Sequence, residues 1–448
     1  MSIPWIDSAP DLVCKHYNYS SWFELISPCF ESFVHKEENK NCQPTMLSKN
    51  LSSRIHKVIE ELNMTITNSP NLTKEAEKMW KAVQRELFRD WCPGPFHEIV
   101  HYLKVVLTQA PPYLPNAPNF YGVPISNMLL CYLHTQEGRS FFASPKVNSA
   151  MVKIVNTYGE FLETKESLNV LNNGTFGWKG PCALKELDHM KEFVYNKEDK
   201  YWGFKSWNDF FTRNLKNGTR PIVGRDNNKI VNAFGDNGFL NIEMHLQNNT
   251  KMWIKNESYS LFQMFDKNPS LSNRFIGGTA LQVFFSATKY HHYHAPVSGN
   301  VTYAANKHGI IYAVDEVNVA SNQDKLTTLK NWIKYGADGL IETELYLAHI
   351  ASRAIIIIEN ELLGPVALFF IGMTEISSCR IEPRIKNGYE NGTPAYVEKG
   401  DKLGYFQFGG SSGAILFTKE VVDMRPKPFW NMSLLHGDIK MGQPILYI

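Results

Sequence analysis

The chain has 448 residues, 43% hydrophobic and 20% charged, enough for two or three domains with a sizeable core. Its 46 basic and 44 acidic residues leave a net charge of +2 and no long basic run, which argues against nucleic acid as a partner. Seven cysteines, six of them before residue 190 and none in a Cys-x-x-Cys pair, read as reduced thiols and not as a disulfide framework or zinc site. The first eleven residues lack a basic and then apolar leader, and the longest apolar runs, Ala354–Ile358 and Val366–Met373, are too short to cross a bilayer. The expectation is a cytoplasmic protein with no transmembrane segment, with peripheral membrane contact and homo-oligomerisation left open.

In chain order, residues 1–165 carry helical signals. Apolar positions recur every three or four residues over Leu51–Met64 and Glu75–Trp91. Phe96, Ile99, Val100, Leu103, Val106 and Leu107 form one stripe. Its opposite face holds His97, Glu98, His101 and Lys104, without the dense basic cluster of a membrane-lying helix, so core packing is expected. A Pro-rich break at 110–118 precedes further helices near 124–133 and 148–163. Residues 166–184 are rich in Asn and Gly and read as a linker. A helix is expected over Leu184–Tyr195, and Ser206 suits an N-cap for Trp207-Asn-Asp-Phe-Phe-Thr-Arg213.

After Arg220-Pro221 the pattern changes to short β-rich runs between Gly/Asn turns. They fall at Lys229–Ala233, Phe239–Met244, Thr279–Phe285, Gly299–Ala304, Gly309–Val314, Ala354–Glu359, Val366–Ile371 and Ala414–Thr418. The fold class expected is therefore α+β. A helical N-terminal domain (1–165) and a linker (166–184) lead into a β-rich catalytic domain (185–448).

Four sequence features carry chemistry. Phe408-Gly-Gly-Ser-Ser412 sits between two apolar runs, and a serine after two glycines can attack the carbonyl of its own chain. Tyr290-His-His-Tyr-His-Ala-Pro-Val-Ser-Gly299 packs three histidines together, as general bases or ligands. If the run is a strand, His292 and His294 share one face and His291 takes the other. No Cys or carboxylate lies at ligand spacing nearby, so no metal is expected. Val231-Asn-Ala-Phe-Gly-Asp236 sets a carboxylate in a Gly/Asn turn, and Trp207-x-x-Phe-Phe-x-Arg213 is followed by Arg220-Pro-Ile222.

In this order the features resemble the phosphatidylserine decarboxylase family, pyruvoyl-dependent enzymes, over about residues 185–448. The most specific stretches are 290–299 and Lys399-Gly-Asp-Lys-Leu-Gly-Tyr-Phe-x-Phe-Gly-Gly-Ser411. The helical N-terminal domain, Phe370-Ile-Gly-Met373 and the Gly-Gly-Ser-Ser step resemble a soluble branch that includes fungal tryptophan decarboxylases. The resemblance implies self-cleavage between Gly410 and Ser411, with Asp236 orienting His294 and His294 taking the Ser411 proton. Ser411 would become the pyruvoyl cofactor and form a Schiff base with a small-molecule amine, a free aromatic amino acid such as tryptophan. His291, with His294 second, would then protonate the α-carbon. The cleaved C-terminal chain, residues 411–448, would stay bound to the rest.

The chain departs from the family at Lys289, where an aspartate is common, and offers Ser412, His292 and Asp315 as alternative groups. Two other functions stand beside the first. One is phosphatidylserine decarboxylation to phosphatidylethanolamine, and the other is an unprocessed binding protein.

Overall fold

The computed structural model describes residues 47–85, 92–114, 123–133, 135–247, 261–286, 288–309, 351–372, 379–407, 411–431 and 438–448. The expected strand at Gly309–Val314 falls almost wholly outside them, as do Gly410 and Asp315. The chain divides into two compact units between Phe210 and Phe211.

The first unit is helical. Its helices are α1 (Lys49–Thr67), α2 (Pro70–Val83), α3 (Phe96–Val106), α4 (Pro124–Leu133), α5 (Gln136–Ala143), α6 (Pro145–Leu162), α7 (Pro181–Glu186) and α8 (Trp207–Phe211), of which the last residue, Phe211, belongs to the second unit. α1 buries Leu51, Ile55, Ile59, Leu62 and Ile66, one face of a 3.6-residue repeat. Each such side chain contributes about 1.5–3 kcal/mol on leaving water. Ser48 and Ser69 accept the backbone N–H of Leu51 and Leu72, capping α1 and α2. α3 buries Ile99, Val100, Leu103 and Val106, so the stripe is core.

Residues 166–184, expected as a linker, instead pack within this unit. They hold part of a 3-10 helix (Lys165–Val170) and the start of α7. Trp178 anchors them: its indole N–H donates to the Pro111 carbonyl at 2.8 Å, and its ring lies 5.4–5.5 Å from Tyr113 and Phe210. The expected helix at Leu184–Tyr195 breaks into the end of α7 and a 3-10 turn at Asp188–Glu192. Cys92 and Cys131 form a disulfide with their Cα atoms 5.9 Å apart, well within bridging reach. The expectation of reduced thiols throughout is corrected here for this pair. Among the described residues no helix is long and apolar enough to cross a membrane.

The second unit is β-rich. Its strands are β1 (Ile230–Asn232), β2 (Asn237–Met244), β3 (Thr279–Phe285), β4 (His292–His294), β5 (Gly299–Lys307), β6 (Arg353–Asn360) and β7 (Gly364–Gly372). They continue with β8 (Cys379–Ile381), β9 (Tyr396–Val397), β10 (Lys402–Phe406), β11 (Ser411–Phe417), β12 (Phe429–Trp430), β13 (Asp438–Ile439) and β14 (Pro444–Tyr447). The main sheet runs β13-β2-β3-β11-β7-β6-β5-β9, and every pairing is antiparallel. Two three-stranded sheets, β1-β14-β12 and β4-β10-β8, complete the unit. Ile355–Ile358 and Val366–Phe370 are buried on both faces, which is why they read as unbroken apolar runs and not as alternating ones.

Candidate active site

β11 opens at Ser411 in the middle of the main sheet. Ser411 pairs with Phe285 of β3 on one side and Gly372 of β7 on the other. The Gly410–Ser411 bond therefore joins the start of a strand that is hydrogen-bonded along both edges. Two residues on, a Cβ at Gly413 would meet the Phe234 ring at 2.9 Å and the Phe285 ring at 3.1 Å, so those rings leave room only for glycine. Ser412 is buried, and its hydroxyl has no hydrogen-bond partner.

β4 carries two of the three histidines. It pairs with β10, placing His294 opposite Lys402 and His292 opposite Tyr405. Tyr290 stacks on both His292 and His294, at 4.9 and 5.7 Å between ring centres. His291 turns to the other side and stacks on Phe211 at 3.6 Å. This is the alternation that a strand imposes.

Backbone carbonyls fix the tautomers, because a carbonyl can only accept. His291 donates from Nδ1 to the Phe211 carbonyl at 3.0 Å, and its buried Nε2 makes no hydrogen bond of good geometry, the Ser286 backbone giving only a weak contact to the ring. His292 donates from Nε2 to the Thr212 carbonyl at 2.7 Å, and its Nδ1 is the orphan. His294 donates from Nδ1 to the Gly400 carbonyl at 2.8 Å, so its Nε2 accepts the Tyr290 hydroxyl, also at 2.8 Å. Burial, aided by the Arg213 cation, pushes His291 down to about 3. Burial, with the Lys402 cation next, pushes His292 down to about 3 and burial lowers His294. All three rings are thus neutral bases near pH 7.

The unfolded chain binds protons at these rings below about pH 6.5, and the folded chain excludes them. Their stabilising contribution is therefore full above pH 6.5 and is lost as the pH falls toward 3. In an uncleaved Ser411→Ala protein, His291 and His292 together should remove about 2–3 kcal/mol between pH 7.5 and 5.5, read by urea unfolding at each pH. A flat stability across that range would exclude neutral burial of these rings.

Asp236 does not bond to His294, which corrects the expected Asp-His contact. Arg220 takes both carboxylate oxygens through Nε, at 2.9 and 3.1 Å, and adds Nη2. Oδ1 also accepts the Met441 N–H at 2.9 Å. The buried guanidinium outcompetes a neutral imidazole for the carboxylate because it brings a charge and a planar fork of donors. Asp236 acts on His294 through space, where its charge favours the protonated ring.

Several groups with a defined place here had no assigned role in the sequence reading. Arg220, Phe211, Thr212 and Arg213 lie in quoted motifs, yet nothing in the string says which carbonyl meets which ring. Arg213 is buried, donates from Nη2 to the Thr288 carbonyl, and is held down to about 9 by desolvation while remaining cationic. Lys399 is fully buried and donates to the carbonyls of Gly224, Asn227 and Ile230 at 2.7–2.8 Å. It fixes the turn whose next residue, Gly400, offers its carbonyl to His294. Gly400 adopts φ +92°, and a Cβ there would lie 2.7 Å from Ile222, so both conformation and space demand glycine.

The sequence matches the phosphatidylserine decarboxylase family model over residues 207–447, and a second phosphatidylserine decarboxylase model over residues 56–187. The chain belongs to the phosphatidylserine decarboxylase family. The first match contains every candidate residue of the site and the second lies in the helical unit. The chain is similar to an L-tryptophan decarboxylase of Psilocybe cubensis, 30% identical over 81% of this chain and 80% of the relative. It is 29% identical to decarboxylase iboD of Amanita muscaria, over 67% and 85% of the two chains. A phosphatidylserine decarboxylase proenzyme of Clostridium novyi is 30% identical over 52% and 66%. The phosphatidylserine decarboxylase family, in the branch resembling tryptophan decarboxylases, thus defines this chain as a carboxy-lyase. Members of the family use a pyruvoyl group made by self-cleavage.

Proposed function

We propose that this chain cleaves itself between Gly410 and Ser411 and then decarboxylates a free aromatic L-amino acid, with tryptophan the first candidate. The observation that carries the reading is a pair of buried histidine nitrogens without well-formed hydrogen bonds, His291 Nε2 and His292 Nδ1, in the unit where β11 begins at Ser411. Each such nitrogen costs about 1–3 kcal/mol unless another group occupies its lone pair, which makes both candidates for proton exchange with a bound group. Neutral nitrogens with open lone pairs and a small strand-end residue fit a pyruvoyl group at position 411.

In maturation, Ser411 Oγ attacks the Gly410 carbonyl carbon and its proton passes to a histidine nitrogen, His294 Nε2 once the Tyr290 hydroxyl swings away. The amide becomes an ester as the Ser411 nitrogen leaves with a proton. A base then removes the Ser411 Cα proton and the Cβ–Oγ bond breaks, giving a Gly410 carboxylate and a dehydroalanine. One water converts that residue to the pyruvoyl group and releases ammonia. The pairing of β11 beyond residue 411 is untouched by these steps, so residues 411–448 stay in the sheet.

In turnover, the pyruvoyl group supplies a carbonyl sink for the electrons left by CO2. His291 supplies the proton. Neutral at rest, it gains affinity for a proton at Nε2 when a substrate carboxylate enters beside it, because an opposite charge favours the imidazolium. Burial of the histidines excludes water from that transfer.

The tryptophan choice rests on the fungal relatives' similarity over both halves of the chain. The phosphatidylserine decarboxylases among the relatives favour the lipid as a second substrate. The assay is CO2 release from free tryptophan, other amino acids and phosphatidylserine vesicles. Turnover of tryptophan at least tenfold above the vesicles is expected. Turnover of vesicles alone would replace the proposal, and a chain that remains uncut and inert on all three would make it a binding protein.

A further inference from the structure

We infer that Phe211 is a positioning residue for His291, holding the imidazole by ring and carbonyl together so that Nε2 is the nitrogen left to exchange a proton. The inference rests on the reading of His291 as proton carrier. The Phe211 ring lies nearly parallel to the imidazole, 17° apart at a 3.6 Å centroid distance, and fixes the imidazole plane. The Phe211 carbonyl accepts from Nδ1 and fixes which edge faces which way. A half-turn of the ring would put a carbon at that carbonyl and lose the bond. One residue therefore sets both remaining degrees of freedom of His291.

The next two residues brace the same place. The Thr212 carbonyl orients His292, and Arg213 ties down Thr288 in the turn between β3 and β4 that leads into both histidines. The charged and titratable groups that bear on His291 are Arg213 and His292, and both oppose its protonation. The bland alternative is that Phe211 only fills space. In that case any apolar side chain of similar size would serve.

Phe211→Leu and Phe211→Tyr separate the two ideas. Both keep the carbonyl, and only tyrosine keeps the ring. The direct readout is 15N NMR of labelled histidines in the uncleaved Ser411→Ala protein, which needs no pyruvoyl group. His291 is expected to stay an Nδ1–H tautomer, neutral down to about pH 5, in this protein and with Phe211→Tyr. With Phe211→Leu the carbonyl still selects Nδ1–H, but the freed imidazole plane should broaden the ring 15N signals and raise the pH at which the ring takes up a proton.

In the chain with Ser411 intact, Phe211→Leu should lower kcat about tenfold or more with KM within about twofold, and Phe211→Tyr should restore kcat. His291 15N line widths and titration unchanged by Phe211→Leu would overturn the inference. Phe211→Met serves in the same way if the leucine variant does not fold. Absence of a pyruvoyl group in the unsubstituted chain would sink the cofactor reading and leave the NMR result standing.

Discussion

Replacing Ser411 with alanine should leave one chain of 448 residues, whereas the unsubstituted chain should divide into pieces of 410 and 38 residues. The reason is chemical. Without Oγ no ester forms, no elimination follows and no carbonyl sink arises, so decarboxylation should fall by more than about a thousandfold. Denaturing gels and intact mass measure both effects. Ser412→Ala is the companion change. Its hydroxyl is buried and unpartnered, so its loss should leave cleavage in place and stability unchanged or higher by up to about 1 kcal/mol. Cleavage that persists in Ser411→Ala and stops in Ser412→Ala would move the chemistry one residue along. The 38-residue piece should separate from the rest only in denaturant, because its first strand lies between β3 and β7.

Arg220→Met should cost about 3–5 kcal/mol of stability, the second large effect. Both side chains of the Arg220–Asp236 pair are less than a tenth exposed, so removing the guanidinium strands a carboxylate in the interior. The double change Arg220→Met with Asp236→Asn removes that charge, and the amide oxygen can still accept the Met441 N–H. It should recover all but about 1–2 kcal/mol. Self-cleavage should remain slowed about tenfold or more in the double variant, since the negative charge near His294 is gone. Urea unfolding in a Ser411→Ala background gives the stabilities, and the half-time of precursor loss gives the cleavage rate. An Arg220→Met chain within 1 kcal/mol of the parent would show that the carboxylate is stabilised by something other than this pair.

Much of the fold was legible in the string because it follows local periodicity. α1, α3 and α4 and strands β3, β6 and β7 lie where their apolar spacing places them. β8, β9 and β12–β14 are two to four residues long and escaped, because a pattern of period two needs more residues to show. The linker reading failed at Trp178: Asn and Gly around it signal a loop, but one tryptophan packed on Tyr113 and Phe210 holds that loop in a core. The Cys92–Cys131 bridge was invisible because 39 residues of separation say nothing about distance.

The site divides in the same way. The sequence by itself determined the family, the run of histidines and the Gly-Gly-Ser step, since each is a contiguous motif whose residue types carry the chemistry. Only the tertiary structure decided the partners. Asp236 belongs to Arg220, His294 to Gly400 and Tyr290, and His291 to Phe211, pairs separated by as few as 4 and as many as 106 positions. A hydrogen bond depends on distances of tenths of an ångström and on which lone pair faces which proton. Those quantities come from the packing of β4 against β10 and of residues 211–213 against the β3–β4 turn, and sequence order does not encode them locally.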